Sequence, residues 1–75
     1  MKIEIDYKRL ADDLKVHRFS WHYSLRKAAD KIGISASTLN RIENQKIEPS
    51  VSVFALCCWW LCENIMNYIK ISEND

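Results

Sequence analysis

The chain has 75 residues, 48% apolar and 28% charged, with 11 basic side chains against 10 acidic and a formal net charge of +1. That length allows one domain over 1–75 with a single small core, and so slight a net charge does not by itself announce a nucleic-acid binder. One Gly and one Pro, with no low-complexity run, leave no linker, and no apolar run approaches the ~20 residues of a membrane span, so the expectation is a soluble, cytoplasmic protein with no membrane partner.

In chain order, "MKIEI" alternates apolar and charged side chains, a weak signal for a short strand. Residues 6–18 set Leu10 and Leu14, with Tyr7 and Ala11, on one face and Lys8, Asp12, Asp13 and Lys15 elsewhere, which reads as a first amphipathic helix. Ser24 is placed to cap a second helix through Leu25, Ala28, Ala29 and Ile32, and Gly33, the sole glycine, stands where a left-handed residue ends it. Ser35 is placed to cap a third, with Leu39 and Ile42 inward and Ala36, Ser37, Asn40, Arg41 and Asn44 on the opposite face. Pro49 forbids helix at Glu48, and Ser50 is placed to cap a fourth helix through Trp60 or beyond. The segment "YIKIS" alternates again, as a second short strand would; the competing reading of 62–71 is a fifth helix folded back on the core.

Charge is unevenly distributed. Residues 24–50 carry Arg26, Lys27, Lys31, Arg41 and Lys46 against Asp30, Glu43 and Glu48, whereas 51–75 carry Lys70 against Glu63, Glu73 and Asp75. Two short helices joined by a glycine turn form the unit that holds its second helix out for a DNA major groove. The small Ala28 and Ala29 permit a close crossing, and Ile34 supplies an apolar plug. An ordinary helical hairpin with a solvated polar face shows the same pattern. Arg26 and Lys27 lie in the first turn of the second helix, where the macrodipole disfavours cations; a phosphate there would offset this. The cysteines Cys57, Cys58 and Cys62 lack metal-ligand or disulfide spacing and read as small buried hydrophobes. His17 and His22 have no nucleophile at a catalytic spacing, and no glycine loop cradles phosphate, so the expectation is no enzyme, no cofactor and no metal.

The stretch "SLRKAADKIGISASTLNRIENQKIEPS", residues 24–50, resembles the Cro-like, XRE-type helix-turn-helix family. Ala29, Gly33, Ser35, Leu39, Ile42, Glu43, Asn44, Pro49 and Ser50 match at the family's spacing, and with the flanking helices the resemblance extends from Tyr7 to Leu61. It implies an all-α, lambda-repressor-like domain of four or five helices, with the helix-turn-helix at 24–44. It also implies base reading by Ser35, Ala36, Ser37 and Arg41, helped by Thr38 and Asn40, backbone contacts by Ser24, Arg26, Lys27, Asn44 and Lys46, and an ion pair between Arg18 and Glu43. Three residues depart from the pattern. Leu25 replaces a phosphate-contacting Gln, Gln45 stands at a position that prefers Gly, and Leu61 replaces the stop of the fourth helix, which is expected to run toward Asn64.

The resulting expectation is a regulator of transcription, a repressor acting by operator occupancy on double-stranded DNA. The alternatives are the antitoxin of a toxin–antitoxin pair, which would also bind a toxin, and a protein–protein adaptor using the apolar fourth helix. The segment 53–71 is apolar nearly all round its first three turns, more than one small chain buries on its surface. A homodimer is therefore expected through Cys58, Trp59, Trp60, Cys62, Ile65, Met66 and Ile69, within a C-terminal segment, 62–75, that either dimerises or folds back.

Overall fold

The computed structural model describes residues 1–73. In chain order it has strand β1 (Lys2–Ile5), helices α1 (Tyr7–Ser20), α2 (Leu25–Ile32), α3 (Ala36–Glu43) and α4 (Val51–Leu61), a 3-10 turn (Ile65–Tyr68) and strand β2 (Ile69–Ser72). Each helix starts at a polar cap whose oxygen accepts from a backbone N–H in the first turn: Asp6 from Arg9, Ser24 from Lys27, Ser35 from Thr38 and Ser50 from Val53. These caps satisfy donors that the helix itself cannot.

The core is one cluster. Leu10 and Leu14 of α1, Ala28, Ala29 and Ile32 of α2, Leu39 and Ile42 of α3, and Phe54, Cys57 and Cys58 of α4 meet around Tyr68. The i, i+3, i+4 spacing of Phe54, Cys57 and Cys58 selects the buried stripe of α4, a helix apolar on every side. Trp59 is left 68% exposed and Val51 81%. Trp60 is half-buried, its ring edge-on to His17 at 4.5 Å between centroids.

Helix α4 stops sooner than expected. Cys62 takes a left-handed conformation (φ 58°) and the Glu63 N–H returns to the Cys58 carbonyl at 3.0 Å, so the helix ends at Leu61 rather than running toward Asn64. The chain then folds back within the same subunit, as a 3-10 turn and a strand in place of a fifth helix. Asn64 Oδ1 accepts from the Met66 N–H, and β2 pairs antiparallel with β1 in the register Lys2–Ser72, Ile3–Ile71, Glu4–Lys70 and Ile5–Ile69. The two alternating terminal segments thus pair with each other.

Tyr68 is the keystone of that closure. Fully buried, it packs against Phe54 with ring centroids 6.1 Å apart and donates its hydroxyl to Asp13 Oδ2 at 2.7 Å. Arg9 lies over the ring, 5.4 Å from its centroid, and donates to the Asn67 carbonyl. This arrangement corrects the expected dimer surface. Cys58, assigned to it, is only 4% exposed and lies in the core cluster with Tyr68 of the returning tail, and Ile65 and Ile69, which belong to that tail, are half-buried. Trp59, Cys62 and Met66 remain exposed. No helix among the described residues is long and apolar enough to cross a membrane.

Candidate nucleic-acid interface

The α2–turn–α3 unit is built on Gly33. Its φ of 96° lies in the left-handed region, and its N–H and that of Ile34 both return to the Ala29 carbonyl, at 2.8 and 3.0 Å. A Cβ added there would meet nothing within 4 Å, so the requirement for glycine is conformational rather than steric. Ile34 then packs against the core, which sets the angle at which α3 leaves the turn.

Helix α3 is held from its inner side by Leu39, Ile42 and Glu43, all buried. Glu43 is reached across the core by Arg18 of α1 in a two-pronged pair: Nε donates to Oε2 and Nη2 to Oε1, each at 2.9 Å, with the side chains 12% and 3% exposed. The third arm of the guanidinium, Nη1, donates to the Tyr23 carbonyl at 3.1 Å, so one side chain ties α1, the α1–α2 connection and α3 together. The hydrogen bonds to Glu43 raise the Arg18 pKa against the opposing effect of burial.

The outer side of α3 is polar and exposed at Ser35, Ser37, Asn40 and Arg41, while Ala36 and Thr38 are half-buried. Hydrogen bonding divides these residues further. The Ser35 hydroxyl accepts from the Thr38 N–H and donates to Thr38 Oγ1 at 2.8 Å, so both hydroxyls belong to the cap. Ala36 packs against the core. Asn44 Nδ2 donates to the Asn40 carbonyl and to Asn40 Oδ1, at 2.8 and 2.9 Å, which leaves the Asn40 amide N–H groups as its available donors. Ser37, Asn40 and Arg41 therefore present uncommitted groups, at the i, i+3, i+4 spacing of one helix face.

The α2–turn–α3 unit and the residues just after it also carry cations with no carboxylate partner. Among the described residues Arg26, Lys27, Lys31, Arg41 and Lys46 form no ion pair; the pairs present are Lys2–Glu4, Lys8–Asp12, Arg9–Asp13, Arg18–Glu43 and Lys70–Asp6. Ser24, Arg26 and Lys27 are exposed at the start of α2, and Asn44 and Lys46 just after α3. Gln45, at the glycine-preferring position, has φ 57° and is held by its N–H to the Ile42 carbonyl. Leu25 is half-buried against the core and presents no polar group. No group of His, Cys, Asp and Glu side chains able to hold a metal occurs among the described residues. Sequence reasoning overlooked Arg9, Asp13 and Tyr68, which brace the scaffold; their link spans the whole chain and leaves no local signal.

Fold and site together define a class: a small helical domain that mounts its third helix on the second through a glycine turn. Residues 22–58, which contain all of α2 and α3, match the family model described as Helix-turn-helix, of the XRE type. Among solved structures the protein is similar to the crystal structure of the clp gene regulator ClgR from C. glutamicum. Identity is 22% and the TM-score 0.64, covering 85% of this chain and 83% of that one, which speaks for a shared fold. No curated protein matches the sequence significantly.

Proposed function

We propose that this protein is a double-stranded DNA-binding regulator of transcription, a repressor that works by occupying its operator. The observation that carries this reading is the outer face of α3, where Ser37, Asn40 and Arg41 offer uncommitted donors amid unpaired cations. In the major groove Arg41 suits the O6 and N7 acceptors of guanine, a contact worth about 1–3 kcal/mol of discrimination. Asn40 and Ser37, one turn away, add amide and hydroxyl contacts to the neighbouring bases.

The start of α2 supplies the anchor. Ser24 caps the Lys27 N–H, while the other first-turn N–H groups, Arg26 and Lys27 are positioned for a DNA phosphate. The unfavourable placement of two cations at a helix N-terminus is then offset by the bound anion. Asn44 and Lys46 take a second phosphate beyond α3. Bound over a promoter, the domain excludes polymerase; such a role belongs in the cytoplasm, whose reducing conditions suit three free thiols. One such module reads few base pairs, and a two-fold pair of copies doubles the site.

Selection of bound duplexes from a random pool tests the reading. A defined motif should emerge, and affinity for it should fall with salt at a log–log slope of about −2 per copy, for the two neutralised phosphates. Recovery of random sequence, or binding insensitive to salt, would exclude it.

A further inference from the structure

The two-stranded sheet has apolar side chains with nothing packed over their outer ends. Ile3 and Ile71, opposite one another in the ladder, are 65% and 55% exposed. They share a face with Ile5, which packs against the core, and with the half-buried Ile69, because side chains alternate along a strand. Lys2 and Glu4 lie on the other face, where Lys2 Nζ and Glu4 Oε1 are 3.0 Å apart. Since the sheet has two strands among the described residues, β1 has an open edge there.

Which backbone groups line that edge follows from the ladder. The Asp6 N–H donates to the Tyr68 carbonyl at 2.7 Å, one step beyond Ile5–Ile69 in the same register. Hydrogen-bonded and non-bonded pairs alternate in an antiparallel ladder. Lys2, Glu4 and Asp6 therefore direct their backbone groups toward β2, and Ile3 and Ile5 direct theirs to the open edge.

We propose that β1 pairs antiparallel with β1 of a second copy about a two-fold axis through Ile3, making a four-stranded sheet across a homodimer. In that register the two copies of Ile3 exchange a pair of backbone hydrogen bonds. Lys2 stands opposite Glu4 of the partner subunit, and Glu4 opposite the partner subunit's Lys2. These charges occupy the non-bonded positions, where side chains approach most closely.

Other registers fail on charge. A two-fold axis at Lys2 sets a charge against itself; one at Glu4 does the same and matches Lys2 only with Asp6 of the partner subunit, a residue that in each chain already caps α1 and lies 3.4 Å from Lys70 Nζ; and one at Ile5 sets Glu4 against Asp6 of the partner subunit. A shift of one residue puts isoleucine opposite charge and mismatches the faces. Parallel in-register stacking sets every charge on its like, so the edge favours a closed pair over an open fibre. The β2 edge has no comparable match: about Ile71 it sets Lys70 against Ser72 of the partner subunit, and about Lys70 a charge against itself.

Sedimentation without DNA tests this independently of the DNA reading. Wild type at about 0.2 mM, a level suited to so small an interface, should form a species of twice the 8.9-kDa chain. Lys2→Glu and Glu4→Lys each create like-charge pairs at both symmetry-related positions and should weaken the dimer at least ~10-fold, with circular dichroism unchanged. Mixed in equal amounts, the two variants should recover the dimer as a heterodimer in which every charge meets its opposite. A wild type that stays at 8.9 kDa overturns the proposal. So does a dimer that survives Lys2→Glu, a mixture that fails to recover, or a dimer that Trp59→Ser abolishes.

Discussion

Arg18 concentrates more consequence in one side chain than any other polar residue here. Its partner Glu43 is 3% exposed, so Arg18→Ala strands a carboxylate out of water and should cost about 3 kcal/mol. In a domain of this size that lowers the melting temperature by more than ~10 °C, read by circular dichroism; an unchanged transition would mean the pair is not holding the helices. Arg41 and Lys46 differ from it and from each other. Both are exposed and unpaired, so Arg41→Ala should leave stability alone and change the motif selected from random duplexes. Lys46→Ala should instead weaken binding to all sequences about equally and flatten the salt slope by about 1. Tyr68 carries a pH signature. Burial and then its hydrogen bond to the Asp13 carboxylate raise the phenol pKa, so the folded state holds the proton more tightly than the unfolded chain. The stability tied to that proton is complete below about pH 10, the ordinary phenol value, and is lost as pH rises toward the folded pKa. Tyr68→Phe should cost about 1–2 kcal/mol at pH 7 and make the alkaline decline shallower in urea titrations at successive pH values.

At the scale of elements, two left-handed positions bracket α3 and respond oppositely to substitution. Gly33, at φ 96°, has room for a Cβ but the wrong backbone for one. Gln45, at φ 57°, bears the strain that glycine would relieve. A non-glycine residue there costs about 1–2 kcal/mol, less the 0.4–1 kcal/mol by which it restricts the unfolded chain. Gly33→Ala should therefore destabilise, and Gln45→Gly stabilise, each by about 0.5–1 kcal/mol. Chemical denaturation measures both, and effects of the same sign would contradict the left-handed assignments. Helix α4 shows the limit of element-level reasoning: its all-round apolar character does not say which stripe faces inward, and only the positions of α1, α2 and Tyr68 do.

For the whole molecule, stability rests on closure of the chain ends over the core. Elongated at 41 × 21 × 18 Å, the domain tethers its tail through the β1–β2 ladder, the Arg9–Asn67 hydrogen bond and the Tyr68–Asp13 contact. That closure sorts the three thiols. Cys57 and Cys58 are buried, and burial pushes the Cys57 pKa up to about 12 and raises that of Cys58, whereas Cys62 is exposed at the end of α4. A thiolate-selective reagent at pH 8 should modify one cysteine quickly and the other two only as fast as the domain opens. Peptide mapping should find the fast label on Cys62. Fast labelling of Cys58 would show that the tail does not stay closed.

The helix boundaries around the turn were legible in the sequence because their causes are local: Ser24, Ser35 and Ser50 as caps, Gly33 as the left-handed stop and Pro49 as a break. The polar face of α3 was legible for the same reason, since helical spacing alone separates Ser37, Asn40 and Arg41 from Leu39 and Ile42. Alternation in the terminal segments likewise suggested strands. What the sequence left open was the fate of the apolar surface of 53–71. Whether a second chain, a fifth helix or a strand covers it depends on a contact between residues 55 positions apart, Tyr68 and Asp13, and on pairing between the two ends of the chain. Such contacts leave no periodicity to read. Tertiary structure also decided that Ser35 and Thr38 bond each other and that Cys58 lies inward. A hydroxyl or thiol can serve a cap, a groove or a core with the same spacing, and only the neighbours that fold around it select among them.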